Sequence, residues 1–85
     1  VALCGGSGGN FVEDAVRLGC DTLVTADVKY DRFLAAKELG LNLIDAGHFC
    51  TENVVVPVIA EMLKKGFPEI DVIEANSSHQ PEGFY

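Results

Sequence analysis

Nowhere does this chain contain an apolar run approaching the roughly 20 residues needed to span a bilayer, so no membrane helix is expected. The N-terminus has no basic, signal-like segment either. Positive charge is scarce: six Lys and Arg stand against thirteen Asp and Glu, for a net charge of −7. That balance opposes the broad phosphate contacts that dominate nucleic-acid binding, so neither nucleic acid nor membrane is an expected partner. Cysteine is limited to Cys4, Cys20 and Cys50. An odd number without a Cys-x-x-Cys pair indicates neither a disulfide framework nor a zinc ribbon, and a reducing cytoplasm is the expected compartment. Cys50 reads as a buried packing residue. Internal repeats and low-complexity segments are also lacking.

What the 85 residues do contain is 48% hydrophobic and 22% charged, a globular composition with room for one modest core. A single α/β domain over residues 1–75 and an irregular tail over 76–85 are expected, with His79 solvated in that tail. Val1-Ala2-Leu3-Cys4 already reads as a strand running into a glycine-rich turn, so the chain is expected to begin inside a fold, as a fragment of a longer protein. Short apolar runs alternate with helical periodicity, the pattern of successive β-α units with a largely parallel sheet. Four strands are expected near residues 1–4, 21–25, 42–45 and 70–74.

Three helices fall between them. The first should start after Asn10, capped by that side chain with Glu13 closing the reciprocal bond, and end at Gly19. Phe11, Ala15 and Leu18 would form its inner stripe. The second runs from Tyr30 to Leu39, with Phe33, Leu34 and Ala36 inward and Gly40 as its stop. Pro57 sets the start of the third near Asn53, since proline is tolerated only in a first turn. Val55, Val58, Ile59, Met62 and Leu63 would face the core, with Glu61, Lys64 and Lys65 in water. His48 to Glu52 is then the turn entering that helix.

Parallel strands send their following loops out at one sheet edge, where open α/β folds place ligands. Gly5 to Gly9, Thr25 to Lys29, Ala46 to Thr51 and the start of the tail should therefore converge. Ser7, Thr25, Asp27 and Lys29 are candidate substrate-binding residues on that rim. His48 and Glu52 are candidate metal ligands, because imidazole and carboxylate four residues apart suit a divalent ion such as zinc, manganese or iron. The same spacing also arises from a turn histidine beside a helix-start carboxylate. Gly5 to Gly9 could likewise cradle a phosphate or form a tight structural turn. Phe11 occupies the third glycine position of a dinucleotide fingerprint, and no Gly-Lys-Ser/Thr follows, so neither nucleotide motif is met.

Cys4-Gly5-Gly6-Ser7-Gly8, Thr25-Ala26-Asp27-Val28-Lys29-Tyr30 and Asp45-Ala46-Gly47-His48-x-x-Thr51-Glu52, in this order, resemble the C-terminal half of the NGG-interacting-factor-three-like family, the GTP cyclohydrolase I type two homologues. The resemblance covers the whole chain. It implies a three-layer α/β/α fold in which two similar halves intertwine, a dinuclear metal centre between them, and a ring-shaped hexamer. It maps metal ligands onto His48 and Glu52 only, the remaining ligands belonging to an N-terminal half. A metal-dependent hydrolase acting on GTP or another phosphorylated small molecule is the implied activity, with two divalent ions in a complete site and little or no metal held by this chain alone. The competing expectation is a non-catalytic metal-binding or scaffold module of a ring-shaped oligomer. Two positions depart from the family pattern. Ala26 stands where glycine is usual, and Asp31 stands where histidine often follows Lys-Tyr, so no proton-transfer role is carried over from position 31.

Overall fold

Three short apolar runs make the sheet. The computed structural model describes residues 1–76, 81 and 83, and within them β1 spans Ala2–Ser7, β2 Thr22–Ala26 and β3 Asn42–Asp45. All pair in parallel, in the order β1-β2-β3. Register places Ala2, Leu23 and Leu43 in one row across the sheet and Leu3, Val24 and Ile44 in the next. Successive side chains point to opposite faces of a strand, so these two rows line the two sides of the sheet.

The Ala2-Leu23-Leu43 side is the core. Helices α1 (Val12–Arg17) and α2 (Tyr30–Leu39) cover it, closing Val12, Ala15, Leu23, Ala36 and Leu41 into one buried cluster. Full burial of a leucine such as Leu23 contributes about 1.5–3 kcal/mol. On the other side α3 (His48–Asn53) sits over the end of β1, while Leu3 and Ile44 remain exposed. Helices on both faces of a parallel sheet make this an α/β fold.

Several boundaries follow the residue chemistry. Gly19 and Gly40 adopt left-handed conformations just past α1 and α2, and α2 has the expected bounds. The start of α1 does not follow expectation. Gly9–Phe11 forms a 3-10 turn, no side chain caps α1, and the Glu13 carboxylate is taken by Arg32 through bonds of 2.8 and 2.9 Å. Val12 and Ala15 are buried, Ala15 as expected, while Phe11, in the 3-10 turn, and Leu18, past the last residue of α1, are exposed. In α2 the small Ala35 and Ala36 meet the core, leaving Phe33 and Leu34 exposed at the flanks.

The segment from His48 onward departs further. It is not a turn entering one helix but two helices, α3 and then α4 (Val55–Gly66), meeting at Val54. Pro57 explains the break: lacking an N–H, it cannot bond back to Asn53, the last residue of α3. The apolar residues of α4 are not in the core. Val55, Val58, Ile59, Met62 and Leu63 are all exposed, and only Ala60 on this helix is buried. Cys50, expected to be buried, is exposed on α3. The strand expected near 70–74 does not form either, because that segment pairs with no strand among the described residues, and Ile73 is 86% exposed. Most of the tail, His79 included, lies outside the described residues. No helix among the described residues is long and apolar enough to cross a membrane.

Candidate functional site

The site begins with a widened strand end. Leu3 pairs with Val24 but Ser7 pairs with Ala26, so four steps along β1 match only two along β2. The surplus is absorbed around Gly5 and Gly6, and a bulge of this kind bends a strand and re-aims the residues beyond it. Gly6 sits at φ +69°, where a side chain is disfavoured, and a Cβ there would also run into Glu52 Oε1. Two contacts hold this glycine in place. Its N–H donates to Thr51 Oγ1 at 2.8 Å, and its carbonyl accepts from Thr25 Oγ1 at 3.0 Å. Thr51 in turn donates to the His48 carbonyl at 3.1 Å, which ties α3 to the end of β1.

A second brace comes from β3. The Asp45 carboxylate accepts from Val28 N at 3.1 Å and from Gly47 N at 3.1 Å, so one side chain joins the loop after β2 to the loop after β3. The first loop carries Asp27, and the second leads into His48 at the start of α3. His48 Nδ1 lies 2.6 Å from Asp27 Oδ2, and that same oxygen accepts from Ser7 Oγ at 2.9 Å. The other ring nitrogen, Nε2, lies 3.0 Å from Glu52 Oε2, one helical turn further along α3. Residues i and i+4 share a helix face, so the helical form of this segment is what points both side chains the same way.

Charge follows geometry here. The hydrogen bond that His48 donates to Asp27 is the largest influence holding its ring above the usual imidazole range, assisted by the charges of Glu52 and Asp27. Reciprocally, the bond from His48, then that from Ser7, holds the Asp27 carboxyl below its usual range. Both side chains are partly exposed, at 40% and 51%, so water screens the pair.

Of the residues singled out from sequence, Ser7, Asp27, His48 and Glu52 come together in one hydrogen-bonded cluster. Lys29 shares with Ser7 and Asp27 the wall of a polar cavity of about 320 Å³, to which Asn10, Asp31 and Arg32 also contribute. Thr25 is different. It is completely buried and pins the glycine loop, so it has no surface to offer a substrate. The contributions of Thr51 and Asp45 were not anticipated, although a threonine inside the His48–Glu52 turn and an aspartate ending a strand are ordinary sources of local backbone bonds. On the Nε2 side a cavity of about 540 Å³ opens, walled by Phe49, Val55 and Val56 beside His48 and Glu52.

Among the described residues no group of three or more His, Cys, Asp or Glu side chains is disposed to hold a metal ion. A two-donor fit is nonetheless present. Two ligands of one metal at about 2.0–2.2 Å in tetrahedral geometry lie about 3.3–3.6 Å apart, a few tenths of an ångström beyond the 3.0 Å between Nε2 and Oε2. The other ring nitrogen is already engaged by a carboxylate, the arrangement that usually backs a metal-bound histidine. His48 and Glu52 therefore fit part of a coordination sphere.

The Duf34/NIF3 (NGG1p interacting factor 3) family profile matches residues 1–81. The chain belongs to this family. A protein of Clostridium perfringens named GTP cyclohydrolase 1 type 2 homolog is 34% identical over 85 residues, covering 99% of this chain and 32% of that protein. A Streptococcus pneumoniae protein of the same name is 36% identical over 86 residues, covering 95% and 32%. Among solved structures, a hypothetical protein of Staphylococcus aureus superposes with a TM-score of 0.86 at 33% identity, covering 98% of this chain and 29% of its own. A Bacillus cereus protein related to NIF3 superposes at 0.76 and 26% identity, over 98% and 24%. The chain thus spans about a third of the length of the Duf34/NIF3 relatives it matches.

Proposed function

We propose that this chain contributes His48 and Glu52 to a dinuclear metal centre in a metal-dependent hydrolase-like protein, whose remaining ligands come from the part of the relatives that the chain does not span. The observation that carries this reading is the 3.0 Å approach of Nε2 to the Glu52 carboxylate while Nδ1 is engaged on the opposite side of the ring. A divalent ion bound there would lower the pKa of a bound water and polarise a phosphoryl or carbonyl oxygen. Around it this chain's own residues have separate tasks. Glu52 supplies negative charge, Asp27 and Ser7 hold the histidine ring, and Lys29 offers a cation to an anionic substrate in the polar cavity.

The name shared by the relatives makes GTP the first substrate to test, with other phosphorylated small molecules next. The working protein is proposed to be a hexameric ring in a reducing cytoplasm, binding neither nucleic acid nor membrane. Exposed Leu3 and Ile44 on the sheet, with the exposed apolar residues of α4, also favour a second reading, a metal-stabilised scaffold module without turnover.

Elemental analysis after dialysis, on this chain and on the longer protein, tests the metal reading. The expected result is stoichiometric metal in the longer protein and little in the chain alone, because two ligands leave most of the coordination sphere to water. In the longer protein His48→Ala or Glu52→Ala should strip at least one ion and preserve secondary structure. Full occupancy in both variants would refute the ligand assignment. Metal-dependent product release from GTP then separates hydrolase from scaffold.

A further inference from the structure

We propose that Asp27 is a positioning residue for His48, its carboxylate holding the ring hydrogen on Nδ1 so that Nε2 is left as the nitrogen offered to a metal ion. The inference rests on the metal reading above and adds to it the device that selects the tautomer. A neutral imidazole carries one N–H, and ionised carboxylates accept hydrogen bonds without donating them. His48 lies between two carboxylates, Asp27 at Nδ1 and Glu52 at Nε2, and these compete for that single hydrogen. The contact to Asp27 is the shorter, 2.6 against 3.0 Å. Which nitrogen binds a metal is set by the hydrogen bond the other one makes.

The surrounding structure is built to keep Asp27 in this position. It is the only non-glycine residue among the described ones at positive φ, +51°, a conformation aspartate tolerates better than most side chains. Ser7, brought round by the bulged end of β1, donates to the same Oδ2 that faces the ring, so two donors converge on one oxygen and orient the carboxylate. The loop carrying Asp27 is tied at Val28 N to Asp45. Without Asp27, Glu52 is left to draw the hydrogen to Nε2, occupying the nitrogen a metal needs.

The experiment uses the longer protein, stripped of metal and titrated with Zn²⁺ by calorimetry, with the fold followed by circular dichroism. Selective ¹⁵N labelling of histidine reports the His48 tautomer in the metal-free protein at a pH where the ring is neutral. Asp27→Asn should weaken Zn²⁺ binding by about 10–100-fold and move the neutral ring from Nδ1–H toward Nε2–H. Ser7→Ala, which keeps the carboxylate and removes one bond orienting it, should act in the same direction by a smaller factor, and it carries the test if Asp27→Asn fails to fold. Unchanged affinity in these variants, with His48→Ala losing Zn²⁺, would overturn the positioning role and leave the metal reading standing. Weakened binding with an unaltered tautomer would also overturn it. Wild-type affinity in His48→Ala would overturn the metal reading itself.

Discussion

The body formed by β1 to β3 with α1 and α2, and the arm formed by α4, both carry apolar residues at regular spacing, yet only the body encloses them. Leu23 and Val12 are at most 1% exposed, whereas Met62 and Val58 on α4 are 67% and 56% exposed. Regular apolar spacing states that a face seeks a partner, without stating where the partner lies. In the body the partner is the neighbouring element of the same chain. For α4 the described residues provide almost none.

The largest effect that would sharpen this contrast is expected at Leu23. Leu23→Ala should cost about 2–5 kcal/mol in denaturant unfolding of the chain, since a fully buried leucine leaves a cavity. Gly6→Ala comes next, at about 1–3 kcal/mol, because positive φ penalises the new side chain and its Cβ runs into Glu52. In the longer protein that change should also reduce metal content, which a purely structural glycine would not do. Met62→Ala should stay within about 0.5 kcal/mol in the chain alone, as exposed positions do. A clearly larger loss in the longer protein would locate the stripe's partner there, and equal effects in the two proteins would break the comparison.

The smallest effect concerns pH and the metal-free cluster. His48 is held above its ordinary value, so its contribution to stability is complete below that value and fades as pH rises through the raised one. Asp27 is held below its ordinary value, so its contribution is complete above that value and fades as pH falls through the depressed one. The two together should give a shallow stability plateau between the ordinary carboxylate and imidazole ranges. Thermal melts across pH of wild type and His48→Ala check it, the variant losing the alkaline shoulder and most of the acid one, since His48 is also the largest cause of the Asp27 shift.

Two kinds of information, local and long-range, shape this chain. The alternation of the first three strands with helices, the approximate bounds of α2 and the left-handed stops at Gly19 and Gly40 were legible because each depends on residues close in sequence. The inner faces of α1 and α2 were legible only in part: Ala15 and Ala36 are buried as expected, while Phe11, Leu18, Phe33 and Leu34 are exposed. A 3-10 turn that takes Phe11 out of α1, and small alanines that bring α2 against the core, are settled by packing between elements. The strand expected at 70–74 pairs with neither edge of the sheet among the described residues, although β1 and β3 each leave one open.

At the candidate site the sequence by itself determined the residue types: a histidine and a glutamate four apart, an aspartate after the second strand, a serine in a glycine loop, and the family motifs they compose. Tertiary structure alone decided their relations. It made the His48–Glu52 segment a helix, so that both side chains face one way, and it buried Thr25 as a pin for the glycine loop. It also set Asp27 against the ring of His48 across 21 positions of sequence. Spacing along a chain can align residues within one helix, but only a parallel sheet, delivering three loops to one edge, can bring side chains from separate strands within hydrogen-bonding distance.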